Sequence, residues 1–204
     1  MAEVKEAVVV KLPPAVTDGK MSLERAIAER RSVREYGPEP VTLEEVAQLL
    51  WAAQGITKPP RDRAAPSAGA TFPLEVYVVA GKVTGLPAGL YRYKPMTHEL
   101  HLVVAGDLRE KLAHACLSQG FVELAPVSVV LAAVVSRTNT RYGERAVRYV
   151  HQETGFAGEN LHLQAVALGL GTVVVGAFVD DEVADVLLLP PDEGPLLVFP
   201  VGRR

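Results

Sequence analysis

Apolar residues recur along this chain with two different periods, and the switches between them outline most of its elements. From Thr42 onward the spacing is helical: Leu43, Val46, Ala47, Leu50 and Ala53 return at intervals that fit one face of an α-helix. Thr42-Leu43-Glu44-Glu45 forms a capping box, Val41 is placed to staple onto Val46, and Gly55 is a natural stop. Trp51, the only tryptophan, is expected to pack in the core. A shorter helix opens at Ser22, with Glu24 in its first turn and Leu23, Ala26 and Ile27 as its inward stripe. Asp107 caps another that runs to about Leu117, and Asp180-Asp181-Glu182 starts a further short one. The longest helical pattern runs from Val150 to Leu168. Val150, Ala157, Leu161, Ala165 and Leu168 mark one face, while Phe156, Leu163 and Val166 mark others, which predicts a helix apolar nearly all round and buried on most sides. Gly155 and Gly158 each cost such a helix about 1 kcal/mol relative to alanine. Close helix-on-helix packing is the expected compensation, making this helix a candidate dimer core.

Strand-like stretches lie between. Leu74–Ala80 alternates, with Val76, Val78 and Ala80 on one face, and Leu90–Tyr93 is set to pair with Leu100–Val104 across a turn near Pro95. The continuous apolar run Val127–Val135 predicts a strand buried on both faces. Thr172–Val175 is expected as a central strand and Leu196–Val201 as the last one. Residues 1–21 form an N-terminal extension in which Val8–Leu12 makes a strand ended by Pro13-Pro14. Ile56–Thr71 is irregular, and a loop of that length is either functional or a flexible surface segment. Within it Ser67, Ala68 and Gly69 are small enough for a flat ligand or another backbone to come close. Helices and strands mix without strict βαβ alternation, which predicts an α+β sandwich, and no linker divides the 204 residues, so one domain spans 1–204.

Composition narrows the function. A net charge of −3 argues against nucleic-acid binding by bulk electrostatics. The single cysteine, Cys116, excludes an internal disulfide framework and fits a reducing compartment; on a helix with no histidine motif beside it, it reads as a packed thiol. No apolar run reaches ~18 residues and the start lacks a signal-peptide layout, so a cytoplasmic protein with no membrane span is expected. The five histidines form no metal site, and surface or capped histidines are expected. Gly169-Leu170-Gly171 follows a helix and precedes a strand, the reverse of a dinucleotide-binding turn. There is no P-loop and no Gly-x-Ser-x-Gly elbow. Catalysis would therefore draw on a bound cofactor. Arg30, Arg31, Ser32 and Arg34 close the Ser22 helix just before Gly37-Pro38. Arginine forks and a serine hydroxyl suit a phosphate, while a basic helix end complementing the helix dipole remains the alternative.

These blocks together resemble a known family. Arg30-Arg31-Ser32-Val33-Arg34-Glu35-Tyr36 and Leu49-Leu50-Trp51-Ala52-Ala53-Gln54-Gly55-Ile56-Thr57 resemble the flavin-dependent nitroreductase superfamily. Pro66-Ser67-Ala68-Gly69-Ala70-Thr71-Phe72-Pro73-Leu74-Glu75, Gly89-Leu90-Tyr91-Arg92-Tyr93, Arg141-Tyr142-Gly143-Glu144-Arg145 and Gly158-Glu159-Asn160-Leu161 are similar to its SagB-type dehydrogenase branch, as are Leu168-Gly169-Leu170-Gly171 and Gly176-Ala177-Phe178. The likeness runs from about Ser22 to Gly202.

The resemblance implies a mixed central sheet flanked by helices and an intertwined homodimer with FMN at its interface. It assigns Arg30, Arg31, Ser32 and Arg34 to the FMN phosphate and ribityl chain. Pro66, Ser67, Ala68 and Gly69 would reach the flavin from the partner, and a backbone N–H of Gly176 or Ala177 would face N5. Arg203 or Arg204 would complete the phosphate site. Where many relatives carry an asparagine this chain has Ala70, and it ends at Arg204 without a long C-terminal arm. Either the N-terminal extension substitutes or the interface is smaller. A lysine-tyrosine pair accompanies azoline oxidation in the branch, and here the pair reads Arg141-Tyr142. Arginine stays charged at any working pH and is a poor base, so hydride transfer from NAD(P)H through FMN to a small electron-poor acceptor is expected. Peptide azoline dehydrogenation, or a flavin-binding subunit with little catalysis, is the alternative.

Overall fold

The computed structural model describes residues 8–204. Its first half contains β1 (Val9–Lys11), α1 (Leu23–Glu29), β2 (Val41–Thr42), α2 (Leu43–Gln54), β3 (Ile56–Lys58), β4 (Asp62–Arg63), β5 (Leu74–Ala80), β6 (Val83–Thr84), β7 (Gly89–Lys94) and β8 (Glu99–Ala105). Its second half contains α3 (Arg109–Ala115), α4 (Gly120–Leu124), β9 (Val127–Ala133), α5 (Val135–Tyr142), α6 (Ala146–Ala167), β10 (Leu170–Thr172), α7 (Asp180–Leu187) and β11 (Gly194–Arg203). Seven strands form one sheet in the order β1-β8-β7-β5-β9-β11-β10.

Every pairing in that sheet is antiparallel. The parallel component of the expected mixed sheet lies outside it, in the β2–β6 pair and a single bridge from Ser32 to Thr172. Because strand side chains alternate, β5 and β9 sort their residues onto two layers. Leu74, Val76, Val78, Val127, Val129 and Leu131 pack with α2 and α6, whereas Tyr77, Val79, Val130 and Ala132 pack with α3, α4 and α7. All seven residues of β9 are buried, Ser128 among them, as a strand covered on both faces requires.

The capping box holds: Thr42 Oγ1 accepts from Glu45 N, and Glu45 Oε2 accepts from Thr42 N. Ser22 caps α1, and Asp107 accepts from Arg109 N at the start of α3. Cys116 is buried, and that burial pushes its thiol up to about 11.

Several expectations are corrected. The strand predicted at Thr172–Val175 is β10, which ends at Thr172 and lies at the edge of the sheet, followed by one bridge from Val175 to Val198. Pro200 of β11 stands opposite Val173 and has no N–H to continue the ladder. In α1 only Ala26 faces inward; Leu23 and Ile27 are 62% and 56% exposed. Trp51 is half-buried and lines surface clefts beside α6.

Helix α6 is not apolar all round. Its inner face carries Glu153, Thr154 and His162 among Val150, Ala157, Leu161 and Ala165, while His151, Gln152, Gly155 and Glu159 are exposed. Gly158 makes room within its own chain, since a Cβ there would stand 2.8 Å from the Phe199 ring of β11. A Cβ on Gly155 would meet open space.

Candidate functional site

Two groups of sequence-predicted residues are built on opposite ends of α6. The first begins where α1 stops. Arg30 N–H caps the helix on Ala26 O, and the chain then turns extended so that Val33 N–H donates to Thr172 O beside β10. This close approach needs Gly171: a Cβ there would stand 2.6 Å from Val33 Cγ1. Tyr36 lies over Gly202 in the same way, its hydroxyl within reach of Val33 O and Pro200 O. His162 of α6 completes the support, with Nε2 3.2 Å from Arg31 O. Its pKa is lowered, by burial foremost, so it is not a surface histidine but a buried, capped one.

The arginines fixed by this scaffold are short of carboxylates. Arg31 donates to the carbonyls of Ala28 and Arg30. Arg30 meets Glu159 at 3.8 Å with both side chains well exposed, an ion pair of little worth. Arg204 comes to the same end of α1, its guanidinium 3.4 Å from Glu29 O. Ser32 is exposed. Arg203, by contrast, is held elsewhere, by an ion pair with Glu45 and a bond to Pro40 O. Arg34 lies over α4, its guanidinium 5.7 Å from the centre of the Phe121 ring.

Beyond β10, Gly176 and Ala177 are exposed, and among the described residues neither amide N–H has a partner. Gln119 fixes this stretch by donating from Nε2 to Ala177 O at 2.9 Å and to Cys116 O at 2.8 Å.

The second group is the Ser67–Ala70 turn, which the long loop forms after the β3–β4 hairpin. Gly69, Ala70 and Phe72 all have positive φ, at 59°, 53° and 47°. Ser67 Oγ accepts from Phe72 N at 2.9 Å, and Thr71 Oγ1 lies 2.9 Å from Thr138 Oγ1 of α5. Arg141 donates to Gly69 O at 3.3 Å, and a Cβ on Gly69 would be 2.6 Å from the Tyr142 hydroxyl. The turn and the Arg141-Tyr142 pair therefore meet within one chain, with Pro66 exposed at its start. No hydrogen bond or ion pair among the described residues joins this group to Arg30–Arg34.

The residues fit a flavin mononucleotide at the first group. A phosphate asks for cations not already neutralised, which Arg30, Arg31 and Arg204 provide. A flat ring with acceptor atoms at its edge asks for free N–H donors, which Gly176 and Ala177 provide. Arg203 does not fit as it stands, because Glu45 occupies its fork.

Two supporting residues, Gln119 and His162, carry no motif that announces them; His162 is readable only as a polar side chain among the apolar positions of α6, as is the buried Glu153.

The nitroreductase family model matches residues 27–203. The chain belongs to the nitroreductase family. The Methanocaldococcus jannaschii protein MJ1384, which carries the nitroreductase name, is 44% identical over 185 residues, covering 91% of this chain and 92% of that one. A nitroreductase structure from Ralstonia eutropha superposes with a TM-score of 0.83 at 34% identity, covering 96% of this chain and 89% of the other. The NADPH:FMN oxidoreductase of Vibrio harveyi matches with a TM-score of 0.65 over 89% of this chain and 68% of its own, and at 19% identity the likeness is one of fold. This nitroreductase-family oxidoreductase thus has the family's architecture, and among its described residues no helix is long and apolar enough to cross a membrane.

Proposed function

We propose that this nitroreductase-family chain is an FMN-dependent oxidoreductase of the SagB-type branch, acting as a homodimer that passes a hydride from NAD(P)H to a small electron-poor acceptor such as a nitroaromatic or a quinone. The observation that carries the reading is the cluster of Arg30, Arg31 and Arg204 at the end of α1, bonded to carbonyls and to one exposed carboxylate at 3.8 Å, together with the partnerless N–H groups of Gly176 and Ala177 beyond β10. FMN, when bound, supplies reversible two-electron hydride acceptance. Arg30 and Arg31 would bind its phosphate as charged forks, Ser32 would add a hydroxyl, and the Gly176–Ala177 amides would face the ring edge. Arg34 would act only if its guanidinium left Phe121, and Arg203 only if it left Glu45.

The Pro66–Gly69 turn would serve the partner's site, since within one chain it lies with Arg141 and Tyr142 rather than with Arg30. Apolar side chains left exposed on α1 and α6, Leu23, Ile27, Val147 and Phe156, support a second copy as cover. Tyr142 would offer a hydroxyl to the acceptor, and Arg141, fixed on Gly69 O, would hold the turn rather than abstract a proton. On this reading the whole chain is one cytoplasmic FMN-binding unit with no nucleic-acid partner.

The test is flavin content and turnover of the purified protein against Arg30→Ala/Arg31→Ala. Charge-assisted bonds are worth about 1.5–3 kcal/mol each, so the double variant should release FMN on dilution while the parent keeps one per chain. Full occupancy of the variant at micromolar concentration refutes the phosphate assignment. Azoline aromatisation without NAD(P)H-driven turnover would replace the proposed reaction with the peptide dehydrogenase.

A further inference from the structure

Beneath the Ser67–Ala70 turn lies a group of buried polar side chains with unsatisfied atoms. Glu153 of α6 is 2% exposed and its Oε1 has no hydrogen-bond partner. Arg63 of β4 is held by Gln54 of α2, Nη1 to Oε1 at 2.7 Å, and its guanidinium stands 4.6 Å from the centre of the Phe72 ring. Arg63 Nε and Gln54 Nε2 are also buried without partners. Buried polar atoms left open in a native core call for an explanation. Three of them around one turn, two donors and an acceptor, mark a place where small movements exchange hydrogen bonds.

The turn above is strained, with positive φ at Gly69, Ala70 and Phe72. An alanine or phenylalanine in that region must be held there by its surroundings. From the outer side it is held by Arg141 and Thr138. From below, the Ser67 hydroxyl and the Ala68 N–H face the Glu153 carboxyl and both favour its charged form, as does Arg63. Neither closes a bond on Oε1. Ser67 Oγ already accepts from Phe72 N, which leaves the hydroxyl hydrogen to donate downward.

We propose that Glu153 is the positioning residue of this turn: its carboxylate holds the Ser67 hydroxyl and the Ala68 N–H from below, and so sets the place of Gly69 against Arg141 and Tyr142. Only the consequence for flavin rests on the proposed function; the coupling of carboxyl to turn does not. Burial pushes the carboxyl up to about 7, so the turn's support changes across neutral pH. Arg63 is the one charged group acting on it among the described residues; Arg63 in turn feels Glu75 of β5, Arg137 of α5 and the Tyr93 phenol of β7. The ionised form therefore grips the turn, and the protonated form loosens it.

Hydrogen exchange of the flavin-free protein, read by mass spectrometry over residues 66–73 from pH 5.5 to 8.5 and corrected for intrinsic rates, tests this. In the parent, protection should rise with pH around a midpoint near 7. Glu153→Gln should lie near the low-pH level and show no midpoint. Ser67→Ala also removes the acceptor of Phe72 N, so its readout is the pH dependence: with the carboxyl's hydroxyl partner gone, the pH step should be smaller than in the parent, which keeps the proposal testable if the Glu153 variant fails to fold. Equal protection in all three proteins, or a midpoint that persists in Glu153→Gln, overturns it. FMN titration of the same samples separates the two readings. If the parent binds no FMN but shows the midpoint, the cofactor reading fails and the positioning role stands; if FMN binds and no midpoint appears, the reverse holds.

Discussion

Replacing Gly171 with alanine should cost stability through one contact. A Cβ there would lie 2.6 Å from Val33 Cγ1 and 2.9 Å from Val33 Cβ, distances at which something must move. Gly171 does not occupy the left-handed region, so alanine is allowed by its backbone. Stiffening the unfolded chain would by itself stabilise by about 0.4–1 kcal/mol. Overpacking a well-filled site costs about 1–3 kcal/mol. The overpacking term wins because rotating the Val33 side chain moves Cγ1 but not Cβ, which stands 2.9 Å away on a backbone fixed by the Val33 N–H on Thr172 O and the Ser32 bridge to the same strand. The net loss should be about 1–2 kcal/mol, or a Tm lower by about 2–8 °C for a chain of this length.

Urea unfolding of Gly171→Ala, Val33→Ala and the double variant gives a cycle in which the first change should cost less in the background of the second. A coupling of about 0.5–2 kcal/mol is expected for residues in direct contact. The relief is partial, because Val33→Ala keeps the Cβ that stands 2.9 Å away. Additivity within about 0.3 kcal/mol, or a Gly171→Ala protein as stable as the parent, would mean that the 32–33 segment does not lie on β10 as described.

Arg203→Ala should lower stability by about 1 kcal/mol through the half-buried Glu45 pair and leave FMN affinity unchanged in a fluorescence titration; the opposite pattern would return Arg203 to the phosphate. Ala70→Asn should raise stability by a few tenths to about 1 kcal/mol, because φ is 53° there and asparagine tolerates the left-handed region better than alanine; a lower Tm would refute it. His162 has a folded pKa below its unfolded one, so the unfolded chain binds the extra proton and the neutral ring's contribution is lost as pH falls below about 6.5. The raised Glu153 carboxyl works in the opposite direction over the same range, so in unfolding curves the loss should appear as a parent-minus-His162→Gln stability difference that shrinks as pH falls from 8 to 5.

Much of this architecture was legible because burial on a sheet leaves a short-period trace. The run Val127–Val135, apolar apart from Ser128, pointed to a strand covered on both faces, realised as β9 over Val127–Ala133, and the Thr42 capping box named the start of α2. The early end of β10 was not legible, since it depends on a proline 27 residues away in sequence that faces Val173. Leu23 and Ile27 satisfied helical spacing yet face outward, because the seven-residue helix α1 buries only Ala26. The Arg30–Ser32 segment and the Ser67–Gly69 loop stood out by composition, and the structure builds both. Their separation within one chain had no trace in the spacing of residues.

Helix α6 accounts for that separation. Read by periodicity it looked like an oily rod in search of a partner, but its polar residues are the ones that organise the candidate site. His162 meets the carbonyl of Arg31 at one end, Asn160 donates to Ala64 O at the root of the long loop, and Glu153 lies beneath the turn at the other end. Nine residues separate His162 from Glu153, about 14 Å of helix at 1.5 Å per residue. Among the described residues no bond joins the Arg30–Arg34 segment to the Ser67–Gly69 turn, and the exposed Leu23, Ile27 and Phe156 favour a turn that serves another molecule's cofactor. If so, mixing an Arg30→Ala/Arg31→Ala chain with a Glu153→Gln chain should restore one intact site per heterodimer, whereas sites contained within single chains would gain nothing from mixing.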